Sequence, residues 1–132
     1  MMLNENDERI CHDVICLDIT RPWLALVLRQ IVNMGLRPRL MNSATGLELA
    51  NWRNARCAIF DLSLSRLPHV VAGLRWLCDN HPHVIRIVVT NWSDPVDGLV
   101  RESGADWILT SVFDVPALTR ILMRSRGLEF QT

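Results

Sequence analysis

Five short apolar runs, each followed by a helix-like stretch, constrain this chain more than any other feature. Val14-Ile15-Cys16-Leu17 and Cys57-Ala58-Ile59-Phe60 are unbroken and end in an aspartate, Asp18 and Asp61. The run from Val84 to Val89 ends in Thr90, and Trp107-Ile108-Leu109 is the last. Arg37 to Met41 is weaker, because Pro38 moves it toward a sheet edge. Apolar residues at successive positions are what a strand carries when both faces of its sheet are covered. Between these runs the period changes. Trp23, Leu24, Val27, Leu28, Ile31 and Val32 recur at helical spacing, with Thr20 and Pro22 as a start signal and Gly35 as a stop. Further helices are expected around Leu47, Leu49 and Trp52, from Pro68 through Leu77, from Asp94-Pro95 to Gly104, and from Val115 to Arg124. The pattern predicts an α/β fold: a five-stranded parallel sheet, doubly wound in flavodoxin-like order, with helices on both faces. We expect a tail over residues 1–11, one domain over 12–127 and a second tail over 128–132.

In such a sheet a ligand lies beyond the carboxyl ends of the strands, near the switch in strand order. That rule selects Asp18, Asp61, Thr90 and Ser111. Each also has an ordinary structural use: an Asp after a strand can cap the next loop or helix, and a hydroxyl can satisfy strand-end backbone groups.

Composition narrows the chemistry. The 14 basic residues are all Arg, and they balance 14 acids to a net charge of zero, so a broad nucleic-acid-binding face is not expected. There is no Lys for any mechanism that needs one. No apolar run approaches membrane-span length, and Met1 to Arg9 lacks the apolar core of a signal peptide. A soluble, cytoplasmic protein is expected, with no membrane partner. Cys11, Cys16, Cys57 and Cys78 form no CxxC pair, and Cys16 and Cys57 fall inside strands as small hydrophobes. His81-Pro-His83 reads as a loop, so neither Cys nor His suggests a metal.

Asp18-Ile19-Thr20-Arg21-Pro22 has no Gly for a phosphate-binding loop, and the chain has no GxGxxG, P-loop or nucleophile elbow. No His falls at a predicted strand end to serve a nucleophile. A small flavodoxin-like enzyme or cofactor binder is the alternative from another class, and the expectation is that the chain is not an enzyme.

The segment Gly104-Ala105-Asp106-Trp107-Ile108-Leu109-Thr110-Ser111-Val112-Phe113 resembles the stretch Gly-Ala-Asp-Asp-Tyr-Leu-Thr-Lys-Pro-Phe of response-regulator receiver domains in two-component signalling. Ile59-Phe60-Asp61-Leu62 is similar to the strand carrying their phospho-accepting aspartate, and Gly73 to a glycine in the following helix. Val88-Val89-Thr90 resembles their fourth strand with its hydroxyl residue, and Ala44-Thr45-Gly46-Leu47-Glu48-Leu49 the approach to their second helix. The resemblance spans roughly residues 13–126.

It implies Asp61 as phosphoacceptor, Thr90 as switch hydroxyl, and Asp18 with Asp61 as ligands of Mg²⁺, the cation this phosphoryl chemistry uses. The chain also departs from the pattern. The second metal-binding acid falls on Leu17, the lysine on Ser111, the proline after it on Val112, and the switch aromatic on Ile108. One carboxylate fewer weakens Mg²⁺ binding, and Ser111 brings no charge to a phosphoryl group. Arg21 is the residue to examine as a substitute cation. The expectation is a degenerate, pseudo-receiver module acting by protein–protein interaction without phosphorylation. Its partner would be a kinase, an output domain or another receiver, or a second copy in a homodimer. The alternative is an atypical receiver that phosphorylates Asp61 with Mg²⁺. Trp23, Trp52 and Trp76 fall on helices as core; Trp92 and Trp107 lie where receivers bind partners, as anchors if exposed and packing if buried. Arg120 and Arg124 could extend that face or simply complement the dipole of the last helix.

Overall fold

The computed structural model describes residues 13–20, 23–41, 47–62, 67–90 and 97–131. Strands β1 (Val14–Leu17), β2 (Pro38–Met41), β3 (Cys57–Asp61), β4 (Ile85–Val89) and β5 (Trp107–Leu109) form one sheet in the order β2-β1-β3-β4-β5. Every neighbouring pair is parallel. Helices α1 (Trp23–Asn33), α2 (Leu67–Asn80), α3 (Asp97–Glu102) and α4 (Ala117–Gln131) connect or follow the strands. The doubly wound, flavodoxin-like sheet predicted from the alternating pattern is present.

Crossovers between parallel strands are right-handed, so the direction of each step across the sheet decides which face its connection covers. The step from β1 out to β2 places α1 on one face. The steps toward β5 place the 47–54 segment, α2 and α3 on the other. Side chains alternate along each strand to match. Val14 and Cys16, Cys57 and Ile59, Ile87 and Val89 pack with Trp23, Val27 and Ile31 of α1 and Leu118 and Leu122 of α4. Ile15 and Leu17, Ala58 and Phe60, and Val88 pack with Trp52, Leu74, Leu77 and Val100 on the opposite side. Both faces of β1 and β3 are buried, which is why Val14–Leu17 and Cys57–Phe60 are continuously apolar.

Several boundaries differ from the pattern. The helix expected around Leu47 to Trp52 is two single-turn 3₁₀ segments, Leu47–Leu49 and Trp52–Asn54. The Trp52 indole, buried in the core, donates to the Leu47 carbonyl at 2.6 Å and holds the two segments together. Leu49 faces outward, 78% exposed. The last helix starts at Ala117, because Ser111 first caps a 3₁₀ turn over Val112–Asp114. It then runs to Gln131, so residues 128–131, expected as a tail, continue the helix. Residues 1–11, Thr45-Gly46 and Asp94-Pro95 lie outside the described residues.

The amino ends of the strands are braced by ion pairs. Asp13 lies 3.6 Å from Arg56 and 3.8 Å from Arg37. Arg86 donates to the Gly104 carbonyl at 2.6 Å and the Val84 carbonyl at 2.8 Å, while its backbone N–H donates to Asp106 at 2.8 Å. Gly104 itself has φ +121°, in the left-handed region, and a Cβ there would overlap the Cys78 Sγ. Gly104→Ala is therefore expected to lower unfolding free energy by about 2–4 kcal/mol, from backbone strain plus overpacking. Urea denaturation checks this, and adding Cys78→Ala should restore the packing part alone.

Candidate functional site

The strand register alone brings the carboxyl-end residues together. Leu17 pairs with Phe60, so Asp18 is level with Asp61; Asp61 pairs with Val89, so Thr90 follows one residue beyond. The site therefore sits at the β1/β3 boundary, where α1 and α2 leave for opposite faces, as the switch-point rule requires.

Asp61 ends β3 and is 3% exposed. A buried carboxylate needs donors around it, and Thr20 supplies two. Its backbone N–H donates to Asp61 Oδ2 at 2.7 Å and its hydroxyl donates to the same oxygen at 2.8 Å. The sequence marks Thr20 as a helix N-cap. Its carbonyl does accept the first bond of the α1 turn, from Leu24 N–H at 3.0 Å. The hydroxyl reaches across to Asp61. Thr20 thus links the start of α1 to the end of β3, a role that sequence spacing of 41 residues cannot show.

The segment reaches that position through an unusual backbone. Asp18 has φ +56°, a left-handed conformation that Asp tolerates better than most residues. Its N–H donates to the Met41 carbonyl at 2.9 Å, tying the turn to β2. Asp18 also lines a surface cavity of about 240 Å³ with Cys16, Ile19, Leu24, Leu40 and Met41, on the β2 side of the sheet.

Thr90 is 1% exposed and its N–H donates to the Leu109 carbonyl at 2.9 Å. Ser111 stands where the resemblance expects a lysine. Its hydroxyl accepts from the Phe113 N–H at 3.1 Å, capping the 3₁₀ turn. Ile108 packs partly buried against the α2/α3 layer, while Trp107, on the opposite side of the strand, is 42% exposed. Trp107 shares a groove with Arg120 and Arg124, so these three candidates converge. Trp92 and Arg21 lie outside the described residues.

A divalent ion fits this donor set poorly. Mg²⁺ requires several oxygen ligands in near-octahedral arrangement. Leu17 stands where the resemblance expects an acid, and Asp61 Oδ2 already accepts two hydrogen bonds from Thr20. Among the described residues, no group of three or more His, Cys, Asp or Glu is placed to hold a metal.

Thiol chemistry at Cys16 and Cys57 is equally disfavoured. Cys16 and Cys57 are buried on the α1/α4 side. Burial pushes the Cys16 thiol up to about 12, and burial together with Cys16 and Asp106 raises Cys57.

No family model and no curated protein matches the chain. Solved structures do. A response regulator from Thermotoga maritima superposes with a TM-score of 0.65 at 13% identity, covering 84% of this chain and 96% of that one. The fold is that of a response-regulator receiver domain. A CheY-like receiver domain protein from Methanospirillum hungatei JF-1 gives 0.62 at 16% identity, covering 90% and 97%. The TrkA-N domain of inner membrane protein ybaL from Escherichia coli gives 0.57 at 16% identity, covering 86% and 98%. At these identities the receiver fold is shared, and function has to be argued from the site.

Two expectations follow from the geometry. Thr20→Val removes one charge-assisted hydrogen bond to buried Asp61 and should cost about 1.5–3 kcal/mol in urea denaturation. Combined with Asp61→Asn, the loss should be smaller than the sum of the single losses, since both act on one contact. In a thiol-reagent assay at pH 8, Cys16 and Cys57 should react only after unfolding. Because folding raises both thiols above their ordinary value of 9.0, the unfolded chain releases these protons first, and stability should fall as pH rises from about 9 toward 12.

Proposed function

We propose that the chain is a receiver-fold signalling module that acts by binding another protein, without regulated phosphorylation of Asp61. The observation that carries this reading is the state of the Asp61 carboxylate: buried, with Oδ2 accepting both the N–H and the hydroxyl of Thr20. Phosphoryl transfer to a carboxylate needs an oxygen in line with the donor and cations to neutralise the developing charge. Thr20 engages one of the two carboxylate oxygens, Oδ2. The second requirement is weakened at each position, with Leu17 for an acid and Ser111 for the lysine.

Ser111 adds support through its own bonding. Its hydroxyl accepts from Phe113 N–H and organises the turn that starts the last helix. Replacing a mobile charged group with a capping hydroxyl makes this end of the sheet fixed rather than switchable. We assign the chain no catalytic reaction. Its partner belongs to a signalling pathway: a kinase, an output domain, another receiver or a second copy.

The test is incubation with a small-molecule phosphodonor and Mg²⁺, read by intact mass. The expected result is no phosphoryl gain in the wild type and none in Thr20→Val, because removing the hydroxyl supplies no cation. A gain of one phosphoryl group in the wild type that Asp61→Asn abolishes would overturn this reading in favour of an atypical receiver.

A further inference from the structure

The turn between α2 and β4 carries two histidines, His81 and His83, at the amino end of the sheet, opposite the end that holds Asp61. The turn is pinned on both sides. His81 N–H donates to the Leu77 carbonyl at 2.7 Å, at the close of α2, and Val84 N–H donates to the His81 carbonyl at 3.1 Å. Pro82 fixes one more backbone angle between the two histidines. Their rings stand 5.9 Å apart between centres with planes inclined by 79°, and the Trp76 ring lies 5.5 Å from that of His81. His83 is exposed and His81 half-buried, so solvent reaches both. His83 Nε2–H donates to the Trp52 carbonyl at 3.1 Å, across 31 residues of sequence. A carbonyl can only accept, so in the neutral ring Nε2 carries the proton and Nδ1 keeps the lone pair.

We infer that His81 and His83 together bind one divalent transition-metal ion of the imidazole-preferring kind, such as Zn²⁺ or Cu²⁺, with water completing its coordination. A ligating histidine characteristically gives its other N–H to a carbonyl or carboxylate, which orients the ring, and the Trp52 carbonyl already does this for His83. The ring separation suits a shared ion: at a metal–nitrogen distance of about 2.0–2.1 Å, two ligating imidazoles have centres roughly 5–6 Å apart. His81 directly follows the 14-residue helix α2, whose carbonyl end carries partial negative charge and favours a cation. Nitrogen ligands also set this site apart from the Asp61 pocket, since Mg²⁺ takes oxygen donors whereas imidazole suits Zn²⁺ and Cu²⁺. Spacing alone gave no reason to place a metal at His81-Pro-His83; the proximity of the rings and the contact from Trp52 supply it. The bound ion would fasten the α2–β4 turn and, through His83, the Trp52–Asn54 segment. Nothing in this site depends on the state of Asp61.

The test is a Zn²⁺ titration of the ¹⁵N-labelled chain that follows the imidazole nitrogens of each histidine by NMR. Before metal is added, His83 should show the Nε2–H tautomer. Its Nδ1 and one ring nitrogen of His81 should then shift and saturate together, while Mg²⁺ in place of Zn²⁺ leaves both unmoved. A lost ligand costs at least as much as a lost outer-shell partner, so His81→Gln should weaken Zn²⁺ binding about tenfold or more. His83→Gln should do the same, and its amide can still donate to the Trp52 carbonyl, which guards the fold. Cu²⁺ should quench indole fluorescence, and Trp76→Phe should remove most of that quenching, because the Trp76 ring stands beside His81. Four results would overturn the proposal: an Nδ1–H tautomer at His83; no shift at millimolar Zn²⁺; shifts no stronger than at His69, exposed on α2, which would mean an adventitious ion only; or Cu²⁺ quenching unchanged in Trp76→Phe.

Discussion

A carboxylate closed off from solvent at the carboxyl end of a central strand must be surrounded by donors, and much of this molecule's functional end is arranged around that need. Asp61 terminates β3 between two neighbouring strands, and Thr20 reaches it from the start of α1. For Thr20 to do so, the chain turns sharply after β1, through the left-handed conformation of Asp18. That turn sets where α1 begins and therefore how Trp23, Val27 and Ile31 meet the sheet. The fastening joins one helix layer to the strand that carries the most central acid, so the local chemistry and the packing share residues.

The same end of the sheet shows how the strand register gathers polar groups from separate segments of the chain. The register still levels Asp18 with Asp61 and sets Thr90 one step beyond. Ser111, without a charge, takes up a backbone cap that a lysine could not provide. Hydroxyls at Thr20 and Ser111 satisfy nearby groups in fixed positions, where a cation would have to seek an incoming anion. Two exposed arginines, Arg120 and Arg124, lie on the outer face of α4, beside an edge strand and a half-exposed indole.

Reading the sequence worked best where the physics is periodic. Continuous apolar runs and helical spacing located β1, β3, β4, β5, α1 and α2 closely, because burial on both faces leaves no other pattern. It misjudged Leu47 to Trp52, where a single buried indole bonded to a carbonyl stabilises two short turns that lack a helical stripe. It stopped the last helix at Arg124, since the following residues lose the apolar period while the backbone continues helical to Gln131. The candidate acids and hydroxyls were legible as strand-end residues. Their bonding was not, and Thr20 was marked only for its position before a helix.

What the sequence by itself determined is the architecture and the vocabulary of the site. Five apolar runs alternating with helical stretches compel a covered parallel sheet, and the absence of lysine removes one class of cation wherever the chain folds. Only the tertiary structure decided how the polar groups are used. Hydrogen-bond partners are set by distances between residues far apart in the chain, such as Thr20 and Asp61, and a groove exists only when an edge strand and a helix meet. Composition fixes which groups are present; three-dimensional packing fixes which of them already have partners.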